Sequence, residues 1–253
     1  MIKCFLPLIC AASLLAGVPV KAQFIEIGSE KSAIKEGFVL PKDGQIRIIV
    51  FRPDVRVGEQ TTGGLNQPNA EWTKEARDAL NIALEKSLKS RSNEMKIMPE
   101  LSGEDAVVMA DYRSMFKAVA DVAITHKLFP GNRLPTKREA FDWTMGSGTS
   151  KLGELGGGDY GLFFYTYDSY GSAGRKAAQA IGMIMGFGMT SGIHIGYAGL
   201  VDLKTGDLVW INADVKMGGD VRDAEGAEKR IGQLLEDFPS RESGDAANKA
   251  ANK

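Results

Sequence analysis

Gly161-Leu162-Phe163-Phe164-Tyr165-Thr166-Tyr167 carries no charged side chain and is dominated by aromatic and branched residues. A strand with one wet face alternates apolar and polar residues; a run this short and this uniform reads as a strand buried on both faces. A strand of that kind needs layers above and below it, so it predicts a sheet with helices packed around it. Asp168-Ser169-Tyr170-Gly171-Ser172 follows and reads as a polar loop.

On the C-terminal side, residues 193–203 and 207–215 read as two strands joined across Lys204-Thr205-Gly206, a short glycine-containing hairpin loop. Gly218-Gly219 ends the second. A closing helix over residues 223–237 buries Ala227, Ile231, Leu234 and Leu235, and Pro239 stops it. On the N-terminal side, Gln45-Ile46-Arg47-Ile48-Ile49-Val50-Phe51-Arg52-Pro53 is a β-branched run stopped by proline. Residues 54–69, with Thr61-Thr62-Gly63-Gly64 and Pro68, read as a long polar loop, of the kind that is often functional or mobile.

Residues 70–91 repeat Trp72, Ala76, Leu80, Leu84 and Leu88 every four positions, which predicts an amphipathic helix. Met95-Lys96-Ile97-Met98 is a short strand. Ser102 opens a second helix with Val108, Tyr112, Met115, Val119 and Val122 as its expected inner stripe. Thr136-Lys137-Arg138-Glu139 matches a capping box, predicting a third helix that carries Phe141 and Trp143. The expected class is therefore α/β or α+β: a single mixed β-sheet flanked by helices, with a C-terminal antiparallel hairpin and a closing helix. The chain divides into a leader (1–22), a partly ordered lead-in (23–44), one α/β domain (45–239) and a disordered polar tail (240–253).

Lys3 followed by an apolar stretch to Val18 and then Pro19-Val20-Lys21-Ala22 has the layout of a cleaved secretory signal peptide. The stretch is shorter than the roughly 20 apolar residues a membrane span needs. Cys10 follows Pro7-Leu8-Ile9 where a lipidation site would have small residues, so lipid anchoring is not expected. Cleavage removes Lys3, Lys21 and both cysteines, leaving a slightly more acidic chain with no thiol for a disulfide, a nucleophile or a metal. Export places the mature chain outside the cytoplasm, and the expected compartment is the periplasm.

The balance of 31 basic against 32 acidic residues removes the electrostatic basis for nucleic-acid binding. Gly156-Gly157-Gly158-Asp159-Tyr160-Gly161 spells G-x-G-x-x-G, but it precedes a strand, whereas a dinucleotide site needs it to open a helix. No phosphate loop and no G-x-S-x-G elbow occurs, so neither a nucleotide nor another cofactor is expected. His126 and His194 are the two histidines, and one helical turn from His126 stand Val122 and Pro130, which cannot ligate zinc; both histidines read as structural and no metal site is expected. Many serines are available to a Ser-His-Asp arrangement, so none is singled out, and no catalytic residue is assigned.

Sixteen of the 30 glycines lie between Gly146 and Gly206. Among them, Gly182, Gly186 and Gly188 break an apolar segment predicted helical over residues 173–190. Close helix-to-sheet packing is one reading of that segment. The other is an exposed patch of Met183, Met185, Phe187 and Met189 for a partner or a membrane, since thioethers adapt to varied surfaces.

Leu200-Val201-Asp202-Leu203-Lys204-Thr205-Gly206-Asp207-Leu208-Val209-Trp210, the Gly-Gly turn after it and the closing helix ending in Leu234-Leu235-Glu236-Asp237-Phe238-Pro239 resemble the end of a group of bacterial envelope α/β domains. These are the curli-secretion-type lipoproteins, the lipoprotein activators of penicillin-binding proteins and the amino-terminal domain of the Tol-Pal translocation protein. The strand at residues 46–51 and the helix at 70–91 fit the same plan, so that the resemblance spans about half of the mature chain. Asp-x-x-Thr-Gly-Asp-x-x-Trp also occurs in β-propeller blades, but a propeller repeats it and here it stands once. The chain departs from those relatives in lacking a lipidation cysteine and an obvious pair of membrane hairpins. The resemblance implies a non-enzymatic envelope interaction or assembly module, without pore formation and without catalytic residues to carry over.

If the strands ending at Phe51 and Tyr167 are parallel neighbours, the segments after them leave the same edge of the sheet, where open α/β sheets bind ligands. Arg52, Asp54, Arg56, Thr62, Asp168, Ser169, Tyr170 and Arg175 would gather there, facing an anionic or carbohydrate-bearing cell-wall component or an envelope protein. Two alternatives stand beside this: a periplasmic hydrolase with an unrecognised site, and a protein that associates with membranes through residues 181–197.

Overall fold

The structure, a computed structural model, describes residues 31–41, 46–91, 95–137, 140–184 and 192–239. In chain order the described strands and α-helices are β1 (Ser32–Ile34), β2 (Ile48–Val50), β3 (Asp54–Gln60), β4 (Asn66–Pro68), α1 (Ala70–Arg91), β5 (Met95–Ile97), α2 (Gly103–Lys127), α3 (Ser150–Gly156), β6 (Tyr160–Gly171), α4 (Ala173–Ile184), β7 (Ile193–Asp202), β8 (Leu208–Asp214) and α5 (Ala224–Leu234). The eight strands form one mixed sheet in the order β1-β8-β7-β6-β2-β5, with β3 on β6 and β4 on β3. β5, β2 and β6 run parallel; β7, β8 and β1 complete the antiparallel half.

β6 is the central strand that the Gly161–Tyr167 run implies. Its successive side chains enter two cores. Leu162 and Phe164 join Ile48, Val50, Leu80, Leu84, Leu200, Trp210, Ile231 and Leu234 under α1 and α5. Phe163 and Tyr165 join Ile49, Phe51, Phe116, Leu152, Leu203, Leu208 and Ile211 under α2 and α3. Each fully buried leucine contributes about 1.5–3 kcal/mol over an exposed one. The cores are built on this alternation.

Three expectations change, each for a physical reason. β2 stops at Val50, short of Pro53, but a further strand, β3, starts directly after the proline on the same partner, β6. Val50 pairs with Leu162 but Asp54 pairs with Tyr165, so one strand advances four residues while the other advances three. Phe51-Arg52-Pro53 is a β-bulge, where a residue without an N–H is tolerated. Residues 54–69 are accordingly a continuing strand and a hairpin, not a long loop. Residues 168–171 likewise belong to β6 rather than to a loop, because their polar groups find buried partners.

The inner face of α2 is offset from the expected stripe. Phe116, Ala120, Ala123 and Ile124 are buried, while Met115 and Val122 are 42% and 45% exposed. Phe116 stacks on Phe163 at 4.6 Å and Phe163 on Phe51 at 4.1 Å, and the two alanines let the helix approach that ring column. Phe141 and Trp143 lie on no helix. Pro135–Lys137 is one 3₁₀ turn, Glu139 of the capping box is outside the described residues, and residues 143–145 join the β7–β8 turn through Met145 N–H to Gly206 O (2.8 Å) and Leu208 N–H to Trp143 O (2.9 Å).

The short helix there is α3. It ends on Gly157 at φ +68°, and a Cβ on Gly158 would stand 2.3 Å from the Ile49 side chain. The G-x-G-x-x-G string is thus a helix cap and a tight crossing. The described part of α4 shows no close packing of its apolar end: Ile181, Met183 and Ile184 are 57%, 72% and 87% exposed. Met185, Phe187 and Met189, the leader and the tail lie outside the described residues. Among those described, no helix is long and apolar enough to cross a membrane.

Candidate functional site at the carboxyl edge of the parallel strands

β2 and β5 end side by side and point the same way, so Phe51-Arg52 and Met98-Pro99 emerge together at one edge of the sheet. The beginning of α2 lies across them. A cavity of about 280 Å³ opens between, lined by Phe51, Arg52, Met98, Pro99, Glu100, Leu101, Ala106, Met109, Ala110 and Arg113. A narrow cleft continues it past Asp54, Phe116, Lys117 and Tyr165.

Arg113 is the polar centre of this cavity. Its Nη2 donates to the carbonyl of Arg52 at 2.6 Å, which ties the helix to the bulge. Burial lowers the Arg113 pKa, as does Arg77, while Asp54 raises it. Among the described residues no carboxylate stands within ion-pair distance of it. Arg52 is 3.9 Å from Glu85, a loose contact across a half-exposed surface. Lys117 is matched by Asp121 at 2.6 Å, and the same carboxylate accepts from Tyr197 Oη at 2.9 Å. The cleft therefore presents two under-compensated guanidinium groups on apolar walls.

Phe51 and Tyr167 do lie on parallel neighbours, but the eight residues expected at one surface are divided by the sheet. Asp54 and Arg56 pair with Tyr165 and Tyr167 and share the α2 face, where Arg56 is 3.8 Å from Asp54. Asp168 pairs with Val57 and faces the α1–α5 core, fully buried. Tyr170 shares that face, its hydroxyl accepting Val221 N–H at 3.0 Å and its ring lying under Arg222. Ser169 is buried and accepts Ile193 N–H at 3.0 Å. Thr62 lies beside Gly174 at the start of α4, and Arg175, on the same turn, lies beside Gly64. Arg52 alone of the eight lines the cavity, and Asp54 its extension.

Asp168 belongs instead to a buried charge network. Arg230 of α5, fully enclosed, places Nη1 on Asp168 Oδ2 and Nη2 on Oδ1, both at 2.8 Å. Thr166 Oγ1 donates to Oδ2 at 2.9 Å and also meets Arg230, and His194 Nδ1 donates to Oδ1 at 2.8 Å. Burial pushes the Asp168 carboxyl up, but the bonds from His194 and Arg230, the Arg230 charge and the Thr166 hydroxyl outweigh it and hold the group below its ordinary value. A depressed carboxylate stabilises the fold above its unfolded value near pH 4 and loses that contribution as pH falls through its folded value. The stability gap between wild type and Asp168→Asn is expected to narrow as pH falls from 6 to 3, by at most about 1 kcal/mol over that range. Urea unfolding across that range measures it; a gap that holds constant would exclude the assignment.

Arg113 and Arg230 escaped the sequence reading because helix periodicity singles out apolar positions, and no local signal marks an arginine that turns inward. Grouped His, Cys, Asp or Glu side chains able to hold a metal are absent among the described residues.

No protein-family model and no curated protein matches the chain. Among solved structures it is similar to PelC from Paraburkholderia phytofirmans, solved as a dodecamer, with TM-score 0.33 and 10% identity over 83% of this chain and 98% of that one. A second crystal form of PelC gives TM-score 0.31 and 8% identity over 83% and 99%. Lipoprotein GNA1162 from Neisseria meningitidis gives TM-score 0.28 and 14% identity over 82% and 98%.

Proposed function

We propose that this chain is a non-enzymatic secreted or periplasmic envelope protein, an interaction or assembly module that engages an anionic envelope component at the carboxyl edge of β2 and β5. The observation that carries the reading is Arg113, held half-buried in a cavity beside Arg52, with Asp54 acting on it from the adjoining cleft and, among the described residues, no carboxylate within ion-pair distance. A cation kept in apolar surroundings is favourably matched by an anion brought from outside. Two guanidiniums, groups that recognise anions, converge there, with the exposed Glu100 also in the lining.

The test is capture from envelope extracts by the tagged mature chain, comparing wild type with Arg113→Gln and with Arg56→Gln, which lies outside the cavity. Retention of a component by wild type and Arg56→Gln, at least tenfold reduced in Arg113→Gln and weakened by salt, is the expected result. Equal capture by all three would place the interaction elsewhere.

A second reading has its own observation, the exposure of Ile181, Met183 and Ile184 at the end of α4. It holds that this helix rests on a membrane surface. Sedimentation of the mature chain with membranes, released by detergent rather than salt and lost in Ile184→Glu, would support it; a chain that stays in the supernatant would exclude it.

A further inference from the structure

Resting on the reading of the carboxyl-edge cavity as a binding site, we infer that it takes a small amphiphilic anion, one carboxylate or phosphate on a short apolar chain, with the acid group at Arg113 and Arg52 and the chain along Met98, Leu101 and Met109. The walls decide against a sugar. Phe51, Met98, Leu101, Ala106, Met109 and Ala110 offer no hydrogen bonds from their side chains, whereas a sugar ring needs polar partners around its rim. Two methionines among them give a wall that adapts to a flexible chain better than to one rigid shape.

Size sets the second limit. About 280 Å³ accommodates roughly nine water-sized groups, enough for an acid group and several methylenes but not for a folded partner's loop. Charge sets the third. Glu100 is the carboxylate of the lining and is exposed, while Arg113 is half-buried with one guanidinium nitrogen committed to Arg52 O. The remaining N–H groups are available to an incoming oxyanion, which would form charge-assisted bonds in a partly desolvated setting. Apolar contact and anion pairing are thus offered within one small space.

Alkyl carboxylates and alkyl phosphates share this chemistry, and titration calorimetry on the mature chain with octanoate, octyl phosphate and octanol separates them. Saturable binding of one or both anions, with octanol at least tenfold weaker, is expected; the tighter anion names the source. Arg113→Gln, which keeps donor groups but removes the charge, should weaken the anions at least tenfold and leave octanol unchanged. Met109→Trp fills the cavity and should abolish binding while leaving the thermal midpoint near wild type, which guards against misreading a folding defect. Octanol bound as tightly as octanoate, acetate or inorganic phosphate bound as tightly as the amphiphiles, or binding that survives Met109→Trp would each overturn the inference. Capture from envelope extracts that depends on Arg113 while neither amphiphile binds would sink this inference and leave the proposed function standing. Amphiphile binding without any Arg113-dependent capture would sink the proposed function instead.

Discussion

Replacing Arg230 by alanine is expected to destabilise the protein by about 3–5 kcal/mol, the cost of breaking a buried pair from one side. For a domain of this size that lowers the thermal midpoint by roughly 6–20 °C. Asp168 would keep Thr166 and His194 but lose both guanidinium bonds and the compensating charge, at a site from which water is excluded. Arg230→Lys keeps the charge on a single ammonium that cannot make the paired geometry, so an intermediate loss is expected. Replacing both partners, as Asp168→Leu with Arg230→Met, should recover much of the loss, because the penalty lies in the orphaned charge more than in the absent attraction. Calorimetric or chemical unfolding of the three variants checks the series; Arg230→Ala within about 1 kcal/mol of wild type would show that the network contributes little. The network also fixes geometry, since it pins the middle of α5 to β6 and, through His194, to β7.

Gly206→Ala is expected to cost about 3 kcal/mol or more. Two costs coincide at this residue. Its φ of +81° lies in the left-handed region, which costs an L side chain about 1–2 kcal/mol. A Cβ there would also stand 2.1 Å from the backbone oxygen of Gly146, so the strand-like segment at residues 143–146 would have to move off the β7–β8 turn. Overpacking of that kind adds about 1–3 kcal/mol. Gly37 separates the two costs: it has φ +72° and open space around its Cβ, so Gly37→Ala should show the backbone cost alone. Gly131, with open space around its Cβ, should tolerate alanine within about 0.5 kcal/mol. Thermal unfolding ranks the three, and a Gly206→Ala loss no larger than that of Gly37→Ala would remove the steric part.

Much of the frame was legible in the residues. α1 buries Ala76, Leu80, Leu84 and Leu88, the face its four-residue spacing implies, and α5 buries Ala227, Ile231 and Leu234 beneath an Asp223 cap. The β7–β8 hairpin turns at Lys204-Thr205-Gly206 where the glycine said it would. What misled was polarity taken as a loop signal. Asp54, Arg56, Asp168 and Ser169 look like loop residues one at a time, yet they occupy strands because β3 and β6 pair along their length and because Asp168 and Ser169 find buried donors on distant segments. α2 misled differently: with Val, Met, Tyr and Ala on several faces, its inner side was chosen by the fit of Phe116 and two alanines against Phe163, and its periodicity left that choice open.

By itself the sequence determined the class of the fold, the central strand and the closing hairpin and helix. These follow from burial periodicity, glycine and proline, which act within a few residues of themselves. Tertiary structure alone decided that Pro53 sits in a bulge, that Asp168 is sealed against Arg230 instead of facing solvent, and that Arg113 joins Arg52 in the cavity. The reason is that charge pairing and cavity shape depend on residues 60 or more positions apart, and their desolvation is set by packing that no local pattern encodes.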